Sequence, residues 1–386
     1  MDEEQLIYNK DCRKMPELPD ESIQLVVTSP PYWGMRLYEG QQDIIWSDDN
    51  CKHKWTNCPK SHDPGLHSGS NLGSKQLIGK DRKRTRAGSF CFKCGCWKGA
   101  FGLEPTPSLY VQHTIEILKE IRRVLRKDGV VFWNIGDTYI TGKGSCFNPG
   151  GGTKSWKSYN NKRSIYPTGR SAPNRMFTDI PGKNLALIPF RIALAAQEDG
   201  WIIRQVVIWN KTNSKPESVK DRPTLSHEYI LLMTKGKRYY WDHEAALIPY
   251  REPLNRWGGL IMKSDTDKLA AYREMQKIGV SSAFQPGGSS RPNPKGKNIR
   301  SVWHLPTRAY HGIHFAVFPE AIPENCIKIA SKPGDTVLDC FLGTGTTLIV
   351  AAKLGRKGIG YDISEDYCQL ARERLKNNGY FGGRID

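Results

Sequence analysis

The chain has 386 residues, 38% of them hydrophobic, with a formal charge of +18 and a pI near 9.4. That length allows two or three structural units around at least one substantial core, which excludes a disordered chain, and the charge creates a long-range field that attracts a polyanion. No apolar run of about 18 residues occurs, and "MDEEQLIYNKD" is acidic where a secretory signal is basic and then apolar, so an intracellular protein without membrane contact is expected.

Nucleic acid is the expected partner, because eleven Trp and sixteen Tyr lie among the basic residues. In a reducing compartment the ten Cys are not a disulfide framework; the paired ones read as metal ligands and the rest as small buried residues.

In chain order, "QLIYNKD" and "IQLVVTSPP" predict two strands joined by a polar turn. Residues 41–100 then lose apolar periodicity and read as an insert. "SLYVQHTIEILKEIRRVLRKDG" has apolar residues at helical spacing, with Lys127, Asp128 and Gly129 as a stop before the strand "VVFWNIGDTY". Residues 142–176 read as a basic loop without period. "LALIPFRIALAAQEDGW" predicts a helix ending near Gly200, followed by strands "IIRQVVIWNK" and "HEYILLMTK". Residues 251–300 turn polar around one helical piece, "DKLAAYREMQKIG". The end alternates cleanly: strand "DTVLDC", turn "FLGTGTT", helix "LIVAAKLG", strand "KGIGYDI", helix "SEDYCQLARERLKNNG".

This alternation predicts a doubly wound α/β fold with a mostly parallel sheet. The last helix has no strand after it in sequence. "QLIYNKD" can fill that place, which makes the fold a circularly permuted one.

In "VLDCFLGTGTT", Gly343 and Gly345 follow a strand and precede a helix, where a nucleoside ligand meets a doubly wound sheet. Asp362 stands at the spacing from which an acid at the next strand end holds ribose hydroxyls. A lone Gly-x-Gly is also an ordinary tight turn. No Lys follows Gly345, and the third Gly of a pyrophosphate fingerprint is missing, so a ligand with adenosine and no phosphate fits better. S-adenosylmethionine is such a ligand, with Asp339 as a counter-charge for its cationic end.

"VVTSPPYWGMR" ends a buried strand in Ser29, two prolines and two aromatics. Together "TSPPYW" and "DCFLGTGTT" resemble the catalytic and cofactor motifs of DNA amino-methyltransferases, which methylate an exocyclic nitrogen of cytosine or adenine. Their order resembles the permuted beta group, with an S-adenosylmethionine-dependent Rossmann-like fold. The segments between the motifs read like the same group, so the resemblance covers most of the chain. It implies that Asp339, Phe341, Gly343, Gly345 and Thr346 line the cofactor, with Asp362 on the ribose, where many relatives carry Glu. Asp11 would lie near the adenine amino group, and Phe318 and Pro319 would close the pocket.

Methyl transfer to an amine needs positioning and acceptors for the amino hydrogens. Ser29 and the Pro30 carbonyl can supply these, and Pro31 stiffens the turn. A base inside a duplex must be flipped out, and Tyr32, extended by Trp33, gives it a face to stack on. The alternative for the two aromatics is a place in the core. Asn134 and Asp137 in "WNIGDTY" either touch the base or form a structural turn. No Pro-Cys dipeptide occurs, which argues against methylation at carbon. In the family the Ser form of the motif goes most often with cytosine, so the 4-amino group of cytosine is the expected target. N6 of adenine is the alternative, ahead of an RNA methyltransferase or an inactive zinc-bearing DNA-binding protein.

Cys91 and Cys94 in "CFKCGCW" read as the knuckle half of a zinc site, and Cys51 and His53 in "CKHKW" can supply the other two of four ligands; Cys58 and Cys96 are rivals, and free buried cysteines are the alternative. Similar inserts occur in methyltransferase relatives of phage type. "KQLIGKDRKRTR", the loop at 142–176 and "RPNPKGKNIR" carry positive charge suited to phosphates. The expected organisation is a catalytic domain of residues 1–40, 101–250 and 301–386, a zinc insert at 41–100 and target recognition at 251–300. Double-stranded DNA is the expected partner, in a bacterial or phage-infected cytoplasm at the nucleoid. A homodimer and a cognate restriction endonuclease are further partners the resemblance admits.

Overall fold

The structure is a computed structural model that describes residues 5–34, 43–46, 51–55, 89–140, 180–214, 216–249, 293, 295–307 and 318–380. The chain divides into two compact units, Met1–Tyr240 with Val302–Asp386, and Trp241–Ser301.

The first unit is built on an eight-stranded sheet. Its strands are β1 (Gln5–Tyr8), β2 (Ile23–Thr28), β6 (Leu125–Ile135), β7 (Ile202–Asn210), β8 (His227–Thr234), β11 (Val302–His304), β12 (Thr336–Asp339) and β13 (Lys357–Tyr361). Their order is β1-β13-β12-β2-β6-β8-β7-β11, and β8 alone runs antiparallel to both neighbours. β1 pairs in parallel with β13, from Gln5 opposite Gly358 to Tyr8 opposite Tyr361. The N-terminal strand therefore takes the place beyond the last helix, as the permuted order predicts. All six residues of β2 are buried, as a central strand covered on both faces requires.

Helix α1 (Pro107–Val124) starts at Thr106, whose hydroxyl accepts the Leu109 N–H, with Pro107 in the first turn. It buries Tyr110, Thr114, Ile117, Ile121 and Val124, one stripe at helical spacing. The helix stops short of the predicted Lys127-Asp128-Gly129 signal. Leu125 pairs with Ile23 and Val130 with Leu25, so β2 captures the backbone early and the polar residues form an irregularity within β6.

Helices α2 (Ile188–Glu198), α3 (Ala321–Ala330), α4 (Thr346–Lys353) and α5 (Glu365–Asn377) complete this unit. The insert contributes a three-stranded antiparallel sheet of β3 (Ile44–Trp46), β5 (Trp97–Gly99) and β4 (Ser89–Phe90), in that order. Trp46 and Trp97 are buried beside His113 of α1. In the second unit β9 (Leu247–Ile248) pairs with β10 (Lys297–Asn298). The helical piece "DKLAAYREMQKIG", the segment "KQLIGKDRKRTR" and the loop at 142–176 lie outside the described residues. Among the described residues no helix is long and apolar enough to cross a membrane.

Candidate active site

β2, β6 and β12 are parallel neighbours, so residues that follow them emerge on one sheet edge. The carboxyl edge is where open α/β sheets bind ligands. Ser29 and Tyr32 follow β2, and their hydroxyls stand 3.3 Å apart. Asn134 of β6 points its amide nitrogen at three oxygens: Ser29 Oγ at 3.2 Å, Tyr32 Oη at 2.7 Å and Glu228 Oε2 at 3.2 Å. Tyr32 donates to Glu228 Oε2 at 2.6 Å, and Lys211 pairs with the other carboxylate oxygen.

Glu228 and Lys211 were not singled out from the sequence. The available signal was topological. β7 ends at Asn210 and β8 begins at His227, so an antiparallel β8 brings both flanking polar residues to the edge where β2 and β6 end.

The proline turn is braced from outside the sheet. Tyr110 donates to the Pro31 carbonyl at 2.8 Å, and Gly34 donates to the Gly102 carbonyl at 2.8 Å. The half-buried Tyr32 ring packs so closely on Gly136 that a Cβ there would stand 2.7 Å from two ring carbons. Trp33 departs from the expected stacking wall. It is 1% exposed, and its indole donates to the Glu104 carbonyl at 2.8 Å, so it supports the turn from the core and offers no face to a base. Asp137 also turns inward. One carboxylate oxygen accepts from Thr138 and from Ile188 at the start of α2, which supports the structural alternative, and burial raises its carboxyl.

The glycine turn lies beside this cluster. Thr28 donates to Asp339 at 2.6 Å, Thr347 donates to its other oxygen at 2.7 Å, and the Phe341 N–H reaches the first oxygen at 3.1 Å. The Asp339 carboxylate is thus engaged within the protein and stitches the β2 and β12 turns together, with burial raising it. Gly343 and Gly345 have φ of 49° and 76°, the left-handed region. The Gly343 N–H donates to Asp362 at 2.9 Å and the Ser364 N–H to its second oxygen at 2.9 Å. Burial outweighs those two donors and pushes Asp362 up to about 6. Arg374 of α5 reaches the Thr344 hydroxyl at 2.7 Å and the Thr346 hydroxyl at 3.4 Å, bracing the turn. Asp11, after β1, is paired with Arg13 at 2.6 Å. Phe341 is half-buried against Phe101 and Trp133, while Phe318 is half-buried and Pro319 buried just before α3.

In the insert the ligand atoms of Cys51, His53, Cys91 and Cys94 all lie within 4.8 Å of one another. Cys51 and Cys91 sulfurs are 3.9 Å apart, and Cys94 Sγ is 3.6 Å from His53 Nδ1. Tetrahedral zinc with sulfur at about 2.3 Å needs ligand separations of about 3.8 Å. The set therefore fits the ion in both chemistry and spacing. Burial acts to raise the Cys91 thiol, yet N–H donors from Cys94, Lys54 and Lys93 and the His53 ring bring it down to about 5, toward the thiolate a metal takes. Cys96 Sγ stands 3.5 Å from His53 Nδ1, as near as Cys94, but is not among the four whose ligand atoms all lie within 4.8 Å of one another; Cys58 lies outside the described residues.

A permuted Rossmann-like sheet with a glycine turn, an acid at the next strand end and a cluster of hydroxyl and amide groups defines a nucleoside-binding enzyme class. The chain belongs to the DNA methylase family, whose model matches residues 23–373. It is 36% identical over 360 residues to the type II methyltransferase M.SmaI of Serratia marcescens, covering 93% of this chain and 86% of that protein. It is 30% identical over 359 residues to the type II methyltransferase M.XycI of Xanthomonas campestris pv. cyanopsidis, covering 93% and 83%. Among solved structures it is similar to PvuII DNA methyltransferase (cytosine-N4-specific), at 15% identity and a TM-score of 0.49, with 98% of this chain and 87% of that one covered.

Proposed function

We propose that the protein transfers a methyl group from S-adenosylmethionine to the exocyclic 4-amino group of a cytosine flipped out of duplex DNA. The observation that carries this reading is the joining of two turns: Asp339 and Thr28 tie the glycine turn to the turn that holds Ser29 and Tyr32, which Asn134 of β6 contacts. Asp362 offers carboxylate oxygens beside the glycine turn and Asp11 stands after β1, acceptors that suit a nucleoside with hydroxyl and amino donors.

When bound, S-adenosylmethionine supplies a methyl group already activated on a cationic sulfur. Phe341, Gly343, Gly345 and Thr346 would hold it, with Asp362 on the ribose, Asp11 near the adenine amino group, and Phe318 and Pro319 closing the pocket. Asp339 acts through the turn it fixes. Ser29 and the Pro30 carbonyl accept the amino hydrogens and hold the amine in line. Asn134 Oδ1 adds an acceptor, since it is buried without a hydrogen-bond partner among the described residues. Tyr32 stacks on the flipped base, with its ring plane fixed by Gly136 and by its tethered hydroxyl.

The preference for cytosine rests on Ser29 at the head of the motif. Zinc at Cys51, His53, Cys91 and Cys94 would cross-link an insert with few apolar residues. Residues 251–300, most of them outside the described residues, are the proposed region of target choice. Incubation with labelled S-adenosylmethionine and either duplex DNA or structured RNA tests the reading. Label in DNA is expected; label in RNA alone, or in neither, refutes it.

A further inference from the structure

Methyl transfer to a neutral amine leaves a cationic nitrogen that must lose a proton, and Ser29 already carries one. We propose that Glu228, held by Lys211, is the terminal acceptor of that proton, reached through Ser29 and Tyr32; this rests on the methyl-transfer reading above. The direction of the hydrogen bonds carries the argument. Tyr32 has one proton and gives it to Glu228 Oε2 at 2.6 Å. Asn134 turns its amide nitrogen to the oxygen-lined side and donates to Tyr32 and Ser29. Across the 3.3 Å contact between the hydroxyls, Ser29 is therefore the donor. Its remaining lone pair can accept from a substrate amine, and the chain amine, Ser29, Tyr32, Glu228 is polarised one way.

The step balances. As the nitrogen–carbon bond forms, the carbon–sulfur bond breaks, its electron pair stays on sulfur, and the positive charge passes to nitrogen. The amine proton moves to Ser29 Oγ, the serine proton to Tyr32 Oη and the tyrosine proton to Glu228 Oε2, leaving a methylated neutral amine, neutral hydroxyls and a protonated carboxyl. Lys211 pairs with the other carboxylate oxygen and holds Glu228 in place beforehand. The Glu228 and Lys211 side chains are 14% and 23% exposed, so the proton can leave to water at the edge between turnovers. Asn134 is an amide and cannot take the proton itself. Glu228 touches neither substrate nor cofactor in this scheme and is a positioning and proton-receiving residue.

The test compares wild type, Glu228→Gln, Tyr32→Phe and the double variant in single turnover on duplex DNA. Binding of S-adenosylmethionine and fluorescence of 2-aminopurine at the target position, read without cofactor, follow binding and flipping separately from transfer. The relay predicts that Glu228→Gln and Tyr32→Phe each slow transfer by about 10²-fold, the usual scale of a lost proton-transfer group. The double variant should be no slower than the singles, because they interrupt one path. Binding and flipping should stay within twofold. Tyr32→Phe keeps the stacking ring, so it decides the matter if Glu228→Gln fails to fold. Transfer within threefold of wild type in Tyr32→Phe overturns the relay, as does additive loss in the double variant. A wild-type protein that binds cofactor and DNA but methylates nothing overturns the methyl-transfer reading itself.

Discussion

The sheet edge and the Cys/His knuckle are organised by opposite means. At the edge, polar side chains are positioned by packed strands: Asn134, Glu228 and Thr28 lie on β6, β8 and β2, and their bonds cross from strand to strand. In the knuckle, β4 has two residues, Phe92 is 80% exposed, and Cys51 and Cys91, 40 residues apart, stand on short segments that meet through the Phe92 N–H to Lys54 carbonyl bond and the Trp55–Cys91 bridge. The first kind of site is preorganised by a core and should survive the loss of single contacts. With zinc at the four Cys and His side chains, as proposed above, the second depends on a cross-link and should fail as a unit.

Metal removal is the sharpest way to break this comparison. Structural zinc contributes about 10–16 kcal/mol in small zinc modules, so Cys91→Ser should abolish one equivalent of bound zinc and open the segment around residues 51–96 to protease. Elemental analysis and limited proteolysis check this; full protection without metal would contradict the cross-link. At the edge the expected loss is functional and local. Tyr32→Ala removes both the stacking face and the hydroxyl that reaches Glu228, so it should lower methyl transfer by more than the about 10²-fold expected of Tyr32→Phe, while calorimetry finds S-adenosylmethionine binding unchanged. Unaltered turnover would refute the stacking role.

A smaller effect is expected at the cofactor turn. Asp362→Asn keeps the shape but weakens acceptance of ribose hydroxyls, and affinity for S-adenosylmethionine should fall by about tenfold, or about 1.4 kcal/mol.

The smallest effect lies where the two regions meet. Buried Glu104 bonds His113 at 3.0 Å and accepts the Gly102 N–H at 2.9 Å, and His113 stacks on Trp46. Burial pushes Glu104 up to about 8 and His113 down to about 3, so both are neutral at pH 7. An unfolded Glu titrates near 4.3, so the folded form with a protonated Glu104 is fully favoured below that value and loses this advantage as pH rises through about 8. His113 acts oppositely, contributing above about 6.5 and losing its contribution as pH falls toward about 3. Glu104→Gln mimics the protonated acid. Its Tm should match wild type near pH 5 and exceed it by about 2–4 °C near pH 8.5, where 1 kcal/mol is worth that much in a domain of this size. A gap that shrinks with rising pH would contradict the assignment.

Much of the edge was legible because its signals are local. A continuous apolar run marks β2, and two glycines with an acid one helix and one strand later mark the turn, where the Gly343 N–H bonds Asp362. The place of β1 followed from a helix that lacked a strand. Glu228 and Lys211 were hidden because their meaning depends on β8 running antiparallel, which no short motif encodes. Trp33 misled for a related reason: in sequence it stands like Tyr32, and only the Glu104 carbonyl behind it shows which way it faces. Asp339 reads as a cofactor ligand until Thr28 and Thr347, far apart in sequence, are found on its oxygens.

The most direct test of the central claim is the identity of the methylated base. Unmethylated plasmid, incubated with the protein and S-adenosylmethionine and digested to nucleosides, should show N4-methylcytosine by mass spectrometry. N6-methyladenine as the sole product would contradict the cytosine assignment, and the absence of any methylated nucleoside would contradict the account of the strand-edge site as a whole.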